Sequence, residues 1–374
     1  MKWTRAVSAV LALVMIIAAP VWSADDEDDD TPVSPYTYGG SADAYYSKNF
    51  NNPFTGMNTL RAFDVRDSRI DLGLIDIWLE RARTPIGFRV DLQFGPTSNL
   101  VQAFDPNKSD VMDRIQQLYV SANTNKEGTH YFEFGKWVTM HGAELIEPVD
   151  NWLYTRGLLF TWAIPFYHTG ARYWNYFNDH DYVMVNITQG WNTSFQDNGD
   201  GDASFGISFG KKAGPVTYIL NYQGGNEPGA TGTDFGFRHL LDAVVTYDPS
   251  PLWNFVFNAD YGTQDGVNLG PGPMSTRVSW YGVSGMTKYQ IDGQQYVAFR
   301  AEVLRDKEGF LFGTPQTAAS VSLGYTRHIN KYFQVRGEVR HDWSTFGSLF
   351  PSGVPGAFQG GETTVGIATI LSYQ

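Results

Sequence analysis

Short segments in which apolar and polar residues alternate one by one recur along nearly the whole chain, and this pattern constrains the fold more than any other feature. Arg89-Val90-Asp91-Leu92-Gln93-Phe94 alternates strictly, and so does Ser320-Val321-Ser322-Leu323-Gly324-Tyr325. A β-strand sends successive side chains to opposite faces, so each segment has one oily side and one wet side. About sixteen such segments predict an all-β chain: a closed antiparallel barrel with lipid outside and water within.

The connections support that count. Thr84-Pro85, Asn125-Lys126-Glu127-Gly128, Asn178-Asp179-His180, Lys211-Lys212-Ala213-Gly214, Asp248-Pro249-Ser250-Pro251, Ile291-Asp292-Gly293-Gln294 and Ile329-Asn330-Lys331 are short and rich in turn formers. Between them lie longer stretches near 47–68, 96–113, 139–167, 192–201, 224–237, 263–274, 307–316 and 343–361. Strict alternation of short and long puts both chain ends on the short-turn side and makes the strand number even. Phe177 and Tyr182, Phe209 and Tyr218, Tyr247 and Trp253, Tyr289 and Tyr296, and Tyr325 and Tyr332 flank successive tight turns. Amphipathic rings favour the membrane interface, so these are read as a girdle. A soluble sandwich or propeller would not explain the alternating loop lengths.

Where alternation is clean, the faces follow. Phe205, Ile207, Phe209, Val297, Phe299, Ala301, Val303, Phe333, Val335 and Val339 would meet lipid. Ser204, Gly206, Ser208, Arg300, Glu302, Gln334, Arg336, Glu338 and Arg340 would face the bore, as would Arg89 and Asp91. Parity is ambiguous around 171–177 and 277–288.

Lys2 and Arg5 followed by Ala6–Ala19 and Val21-Trp22-Ser23-Ala24 read as a secretory signal, residues 1–24. That apolar run falls short of the about 20 residues a spanning helix needs. Asp25 to Asp30 form an acidic run in a solvated leader, residues 25–34, which accounts for part of the net charge of −12. No basic stripe suggests nucleic-acid binding. The chain has 0 cysteines, which removes disulfides and thiol chemistry. Residues 35–374 carry the barrel pattern.

One block is more specific. Gly135-Lys136-Trp137-Val138-Thr139-Met140-His141-Gly142-Ala143-Glu144-Leu145-Ile146-Glu147, then Asn151 to Arg156, then Ile164-Pro165-Phe166-Tyr167-His168-Thr169-Gly170, resembles the β-barrel porin-2 family. The family similarly shows a Gly-Lys-aromatic strand end, a Gly-x-Glu turn, an Asn-x-x-Tyr-x-Arg stretch and a Pro followed by His-x-Gly. The opening Tyr45-Tyr46 through Asn49-Phe50 is also similar to the family's start. The resemblance implies a bacterial outer-membrane barrel acting as a passive channel. The end departs from outer-membrane barrels that finish on an aromatic residue, because Gln374 follows Tyr373.

A barrel of about sixteen strands is wide enough for an aqueous channel. The 139–167 connection follows the fifth strand, the place where general porins fold a third outer loop inward. Its Glu144, Glu147 and Asp150 would then face Arg300, Arg336 and Arg340 on strands thirteen and fifteen and set a transverse field across the narrowest point. Alternatively the acids are ordinary solvated loop residues and the arginines pair with Glu302 and Glu338 along the wall. Arg89 and Asp91 make the wall mixed in sign.

Other chemistry is weaker. Asp197-Asn198-Gly199-Asp200-Gly201-Asp202 resembles half a calcium loop, but no glutamate follows at the twelfth position, so a hydrophilic turn is the better reading. No histidines are spaced for a metal. His341, Asp342 and Ser344 are adjacent but make a poor triad, and His141 and His168 are expected to pack beside the long loop. The expected function is passive diffusion of small hydrophilic solutes or ions, with no catalytic residue, metal or cofactor. Expected partners are outer-membrane lipid and, by analogy with barrels of this size, two further copies in a homotrimer. A lipase- or protease-type barrel enzyme and a structural or adhesive surface protein are the alternatives.

Overall fold

The computed structural model describes residues 34–103, 105, 111–194, 202–229, 232, 234–269 and 276–373. The signal and acidic leader, except Ser34, and the 197–202 turn, except Asp202, lie outside the described residues.

The alternating segments are strands: β1 (Tyr36–Asn49), β2 (Arg69–Arg81), β3 (Ile86–Phe94), β4 (Ile115–Asn123), β5 (His130–Val138), β6 (Tyr167–Tyr176), β7 (Tyr182–Thr188) and β8 (Ser204–Ala213), followed by β9 (Val216–Pro228), β10 (Phe235–Ser250), β11 (Trp253–Val267), β12 (Thr276–Asp292), β13 (Gln295–Asp306), β14 (Gln316–His328), β15 (Phe333–Ser344) and β16 (Gly361–Tyr373). Each pairs antiparallel with its neighbours in sequence. β1 closes the ring on β16, from Gly40 opposite Tyr373 to Asn49 opposite Thr364. The fold is therefore a closed barrel of sixteen strands, with no unpaired edge.

All seven short connections join the expected strand pairs. The 224–237 connection is shorter than its sequence suggests. Gly224, Gly225 and Asn226 fall in that expected connection, yet they pair with His239, Arg238 and Phe237. A partner strand within hydrogen-bonding reach overrides weak local propensity. β10, β11 and β12 reach 16, 15 and 17 residues, beyond the about 9–11 that cross a bilayer.

The faces follow the period-two pattern. Phe299, Val303, Val339, Phe205 and Ile207 are exposed on the outer wall, whereas Arg300, Glu302, Arg336, Glu338 and Arg340 are buried inside. The ambiguous stretches resolve as well. Val278 and Trp280 point in while Tyr281 and Val283 point out. Trp174 and Arg172 both reach the inward Glu133, at 2.8 and 2.5 Å. Two girdle assignments are overturned. Tyr296 is buried on the inner face, where Arg336 Nη2 donates to its hydroxyl at 3.2 Å. Tyr182 also takes inward parity, beside Ser208 at 3.3 Å and in tilted ring contact with Trp174 and Tyr176. Both rings sit next to a tight turn, but their outward neighbours Val297 and Val183 already occupy the lipid-facing positions.

The interior is not wet throughout. An apolar cluster occupies the long-loop half, built from Leu60 and Phe63 of the first long loop, Ile146, Leu158, Leu159, Phe160 and Ile164 of the third, and inward Trp280 and Leu304 of the wall. The expectation of a continuously polar bore therefore does not hold in that half. Trp280 Nε1 donates to Ala163 O at 3.1 Å, so the ring satisfies its polar atom while packing against the loop.

Candidate pore constriction

The long connection after β5, residues 139–166, is held by side chains from walls well apart around the ring. It begins with Gly142 N donating to Asp242 of β10 at 2.9 Å. Glu144 Oε1 then meets Arg300 Nη1 of β13 at 2.6 Å, and Glu147 accepts from Gln116 of β4. Pro148 and Leu153 each present a carbonyl to Arg336 Nη1 of β15, both at 3.0 Å. Tyr154 Oη donates to Asp43 of β1 at 2.6 Å. Tyr154 N and Thr155 N donate to Glu338 at 2.8 and 3.0 Å, and Arg340 donates to Arg156 O at 2.5 Å. Leu158 N donates to Glu302 at 2.7 Å.

The residues anticipated from sequence thus come together, but in a different relation. Arg300, Arg336 and Arg340 do not look across water at the loop acids. They are fully buried and grip the loop directly. Arg300 also donates to Thr155 O at 2.7 Å and lies 3.3 Å from Glu302, so each of the three guanidinium groups spends donors on loop carbonyls, and Arg300 and Arg340 also meet wall carboxylates. Glu144 belongs to this clamp, its second oxygen accepting from Gly157 N at 2.7 Å. The alternative in which wall acids pair with the arginines is partly realised too, through Glu302.

Glu147 and Asp150 are placed otherwise. Both line a cavity of about 390 Å³ with Asp76, Arg89, Asp91 and Gln117, on the short-turn side. Asp150 also borders a second cavity of about 420 Å³ with His328, Lys331 and Gln334. Arg89 is spent on Asp91 at 2.8 Å and Glu80 at 2.9 Å rather than on the loop. Burial pushes Glu147 above the ordinary carboxylate range, and Asp91 and Asp150 add repulsion. Burial raises Asp150 as well, with Arg89 pulling the other way.

The Asn-x-x-Tyr-x-Arg stretch now has a physical account. Asn151 staples the loop to itself, bonding Leu145 N, Leu145 O and Glu147 O at 3.0, 2.8 and 2.7 Å. Arg156 gathers the carbonyls of Leu145, Ile146 and Tyr154. Gly157 leaves room for both acids: a Cβ there would lie 2.5 Å from Glu302 Oε2 and 2.6 Å from Glu144 Oε2 and would push the two carboxylates aside. Sequence reading missed Arg61, which bridges Asp64 and Asp342 at 2.6 and 2.8 Å. Nothing in the irregular first loop flags it, because no periodicity assigns its side chains a face and Lys48 and Arg66 in the same 47–68 stretch look equally eligible.

Thr139 Oγ1 stands 3.1 Å from His141 Nδ1 and 3.3 Å from His168 Nε2, so both histidines pack and hydrogen-bond beside the loop as expected. His341 faces out toward Thr363, while Asp342 faces in and pairs with Arg340 at 2.7 Å, so the two do not cooperate. Among the described residues no cluster of three metal-ligating side chains occurs.

A sixteen-strand barrel with an apolar outer band, charged inner walls and a long loop clamped to them defines a porin-type outer-membrane barrel. The chain belongs to the family described as Putative beta-barrel porin-2, OmpL-like, whose model matches residues 35–373. Its fold is similar to the outer membrane channel DcaP of Acinetobacter baumannii, at 11% identity and TM-score 0.60 over 90% of this chain and 97% of that one. An anion-selective porin from Comamonas acidovorans matches at 11% identity and TM-score 0.59, over 90% and 99%. The trimer form of OmpT, an outer membrane protein of Vibrio cholerae, matches at 12% identity and TM-score 0.59, over 90% and 99%. No curated protein sequence matches the chain.

Proposed function

We propose that this protein is a passive diffusion channel for small hydrophilic solutes or ions, narrowed by the 139–167 loop. The observation that carries the reading is the position of Glu147 and Asp150, whose loop tip is flanked by polar cavities on the short-turn side. In this reading Glu144, Arg300, Glu302, Arg336, Glu338 and Arg340 hold the loop in place. Glu147, Asp150, Arg89 and Asp91 bias which ions approach it. Width sets a size limit, charge sets preference, and no energy input is needed. Residues 1–24 serve as the export signal and 25–34 as an acidic leader before the barrel, which works as a homotrimer.

Conductance of the purified protein in planar bilayers tests this. Ohmic steps are expected, with a reversal potential that moves toward anion preference in Glu147→Lys and Asp150→Lys. Folded protein that gives no steps and leaves vesicles impermeable to small sugars and ions would overturn the reading.

A further inference from the structure

One group of inward side chains, at the wall position that receives Gly142 N of the loop, includes buried oxygens left without partners. Asp242 of β10 and Asp260 of β11 stand directly opposite each other in the ladder, and Asn221 of β9 stands opposite Asp242 on its other side. All three are 3% exposed. Opposed residues of one antiparallel face have Cβ atoms about 4.5–5.5 Å apart, so the two carboxylates share one space. Among the described residues neither forms an ion pair with a lysine or arginine. Two adjacent buried carboxylates without a cation are costly.

The hydrogen bonds make the shortage sharper. Asp242 is supplied by Gly142 N at 2.9 Å, Asn221 Nδ2 at 3.1 Å and Asn258 Nδ2 at 3.2 Å. Asp260 has no donor to either of its carboxylate oxygens, although both are buried, and Asn221 Oδ1 is buried and unpartnered as well. Asn221 spends its amide nitrogen on Asp242 and Met140 O, at 3.1 and 2.8 Å, so the oxygen is the one side-chain polar atom of Asn221 left without a partner. Both oxygens of Asp260 and Oδ1 of Asn221 are therefore acceptors without a donor, next to an Asp242 that is already supplied.

We propose that Asp242, Asp260 and Asn221 form a binding site for a divalent cation of calcium size. Calcium takes 6–8 oxygen ligands in flexible geometry, including bidentate carboxylates, amide carbonyls and water, whereas magnesium demands a near-ideal octahedron. Two carboxylates and an amide oxygen on a strand wall suit the former, with water from the bore completing the shell. An occupied site cancels two negative charges on the wall. Through Gly142 and Met140 it also ties β9, β10 and β11 to the start of the loop. This goes beyond the channel reading, since binding is measured without any current.

The experiment is calorimetric titration of calcium chloride into the purified, detergent-solubilised barrel after chelator treatment. Saturable binding of one calcium per barrel is expected. Asp260→Asn should weaken it at least tenfold. Asp265→Asn, at the exposed Arg277 pair (2.6 Å), should not change it. If Asp260→Asn does not give a folded barrel by heat-modifiable gel mobility, Asn221→Leu serves instead, since it keeps both carboxylates and removes one oxygen. Absence of saturable binding in the wild type, or equal affinity in the site variants, overturns the proposal. A barrel that binds calcium yet carries no current would leave it standing and sink the channel reading alone.

Discussion

The Glu144–Arg300 contact offers the sharpest test of how the loop is held. Arg300 is completely buried and its partners are a loop carboxylate at 2.6 Å, a loop carbonyl at 2.7 Å and the wall carboxylate Glu302 at 3.3 Å. Arg300→Met strands two carboxylates in a site that has lost its cation, which should cost about 3–5 kcal/mol. Glu144→Gln keeps Arg300 on Glu302 and Thr155 and loses one charge-assisted bond, which should cost about 1.5–3 kcal/mol. In the double variant Glu144 no longer adds an unpaired charge, so the combined loss should fall short of the sum by about 2 kcal/mol. Urea unfolding of the barrel in lipid vesicles measures all three, and single-channel recording should show larger or noisier currents in Arg300→Met as the loop loosens. Strictly additive losses with unchanged conductance would refute the clamp.

Three other outcomes follow from the same geometry. Gly157→Ala should destabilise loop docking by forcing Glu302 and Glu144 apart, seen as raised conductance and faster cleavage of the loop by added protease. Because burial raises Glu147, it takes up its proton above the pH of an ordinary glutamate, so cation preference should fall as pH drops through that range, and Glu147→Gln should flatten the reversal-potential profile. The linked stability has a definite sign: the folded state binds this proton more tightly, so its contribution is present at low pH and lost as pH rises through the raised value, which urea midpoints across pH will read. On the outer wall, Val339→Arg near the middle of β15 should cost about 2–4 kcal/mol of folding into vesicles, whereas the same change at exposed Val354 in the last long loop should cost far less.

The barrel was legible because its signal is local. Alternation within Gln295–Asp306 or Phe333–Ser344 assigns each side chain a face, and turn residues such as Asp292-Gly293 mark where the chain reverses. Tyr296 shows how far that signal reaches: its turn suggested the girdle, but parity sent it inward onto Arg336. The candidate site was half legible. Charged residues at inward parity, and a long loop carrying acids, were visible; that Arg300, Arg336 and Arg340 would grip the loop's carbonyls was not.

Strand number, order and the faces of the cleanly alternating strands were thus set by the sequence on its own, because period two and short turns act between residues a few positions apart. The placement of the 139–166 loop was decided only by the tertiary structure. Glu144 and Arg300 are 156 positions apart and Leu158 and Glu302 are 144 apart. No periodicity links such pairs. A buried arginine must saturate its donors and a buried carboxylate must find a cation or an N–H, and the folded interior is where those needs are first matched.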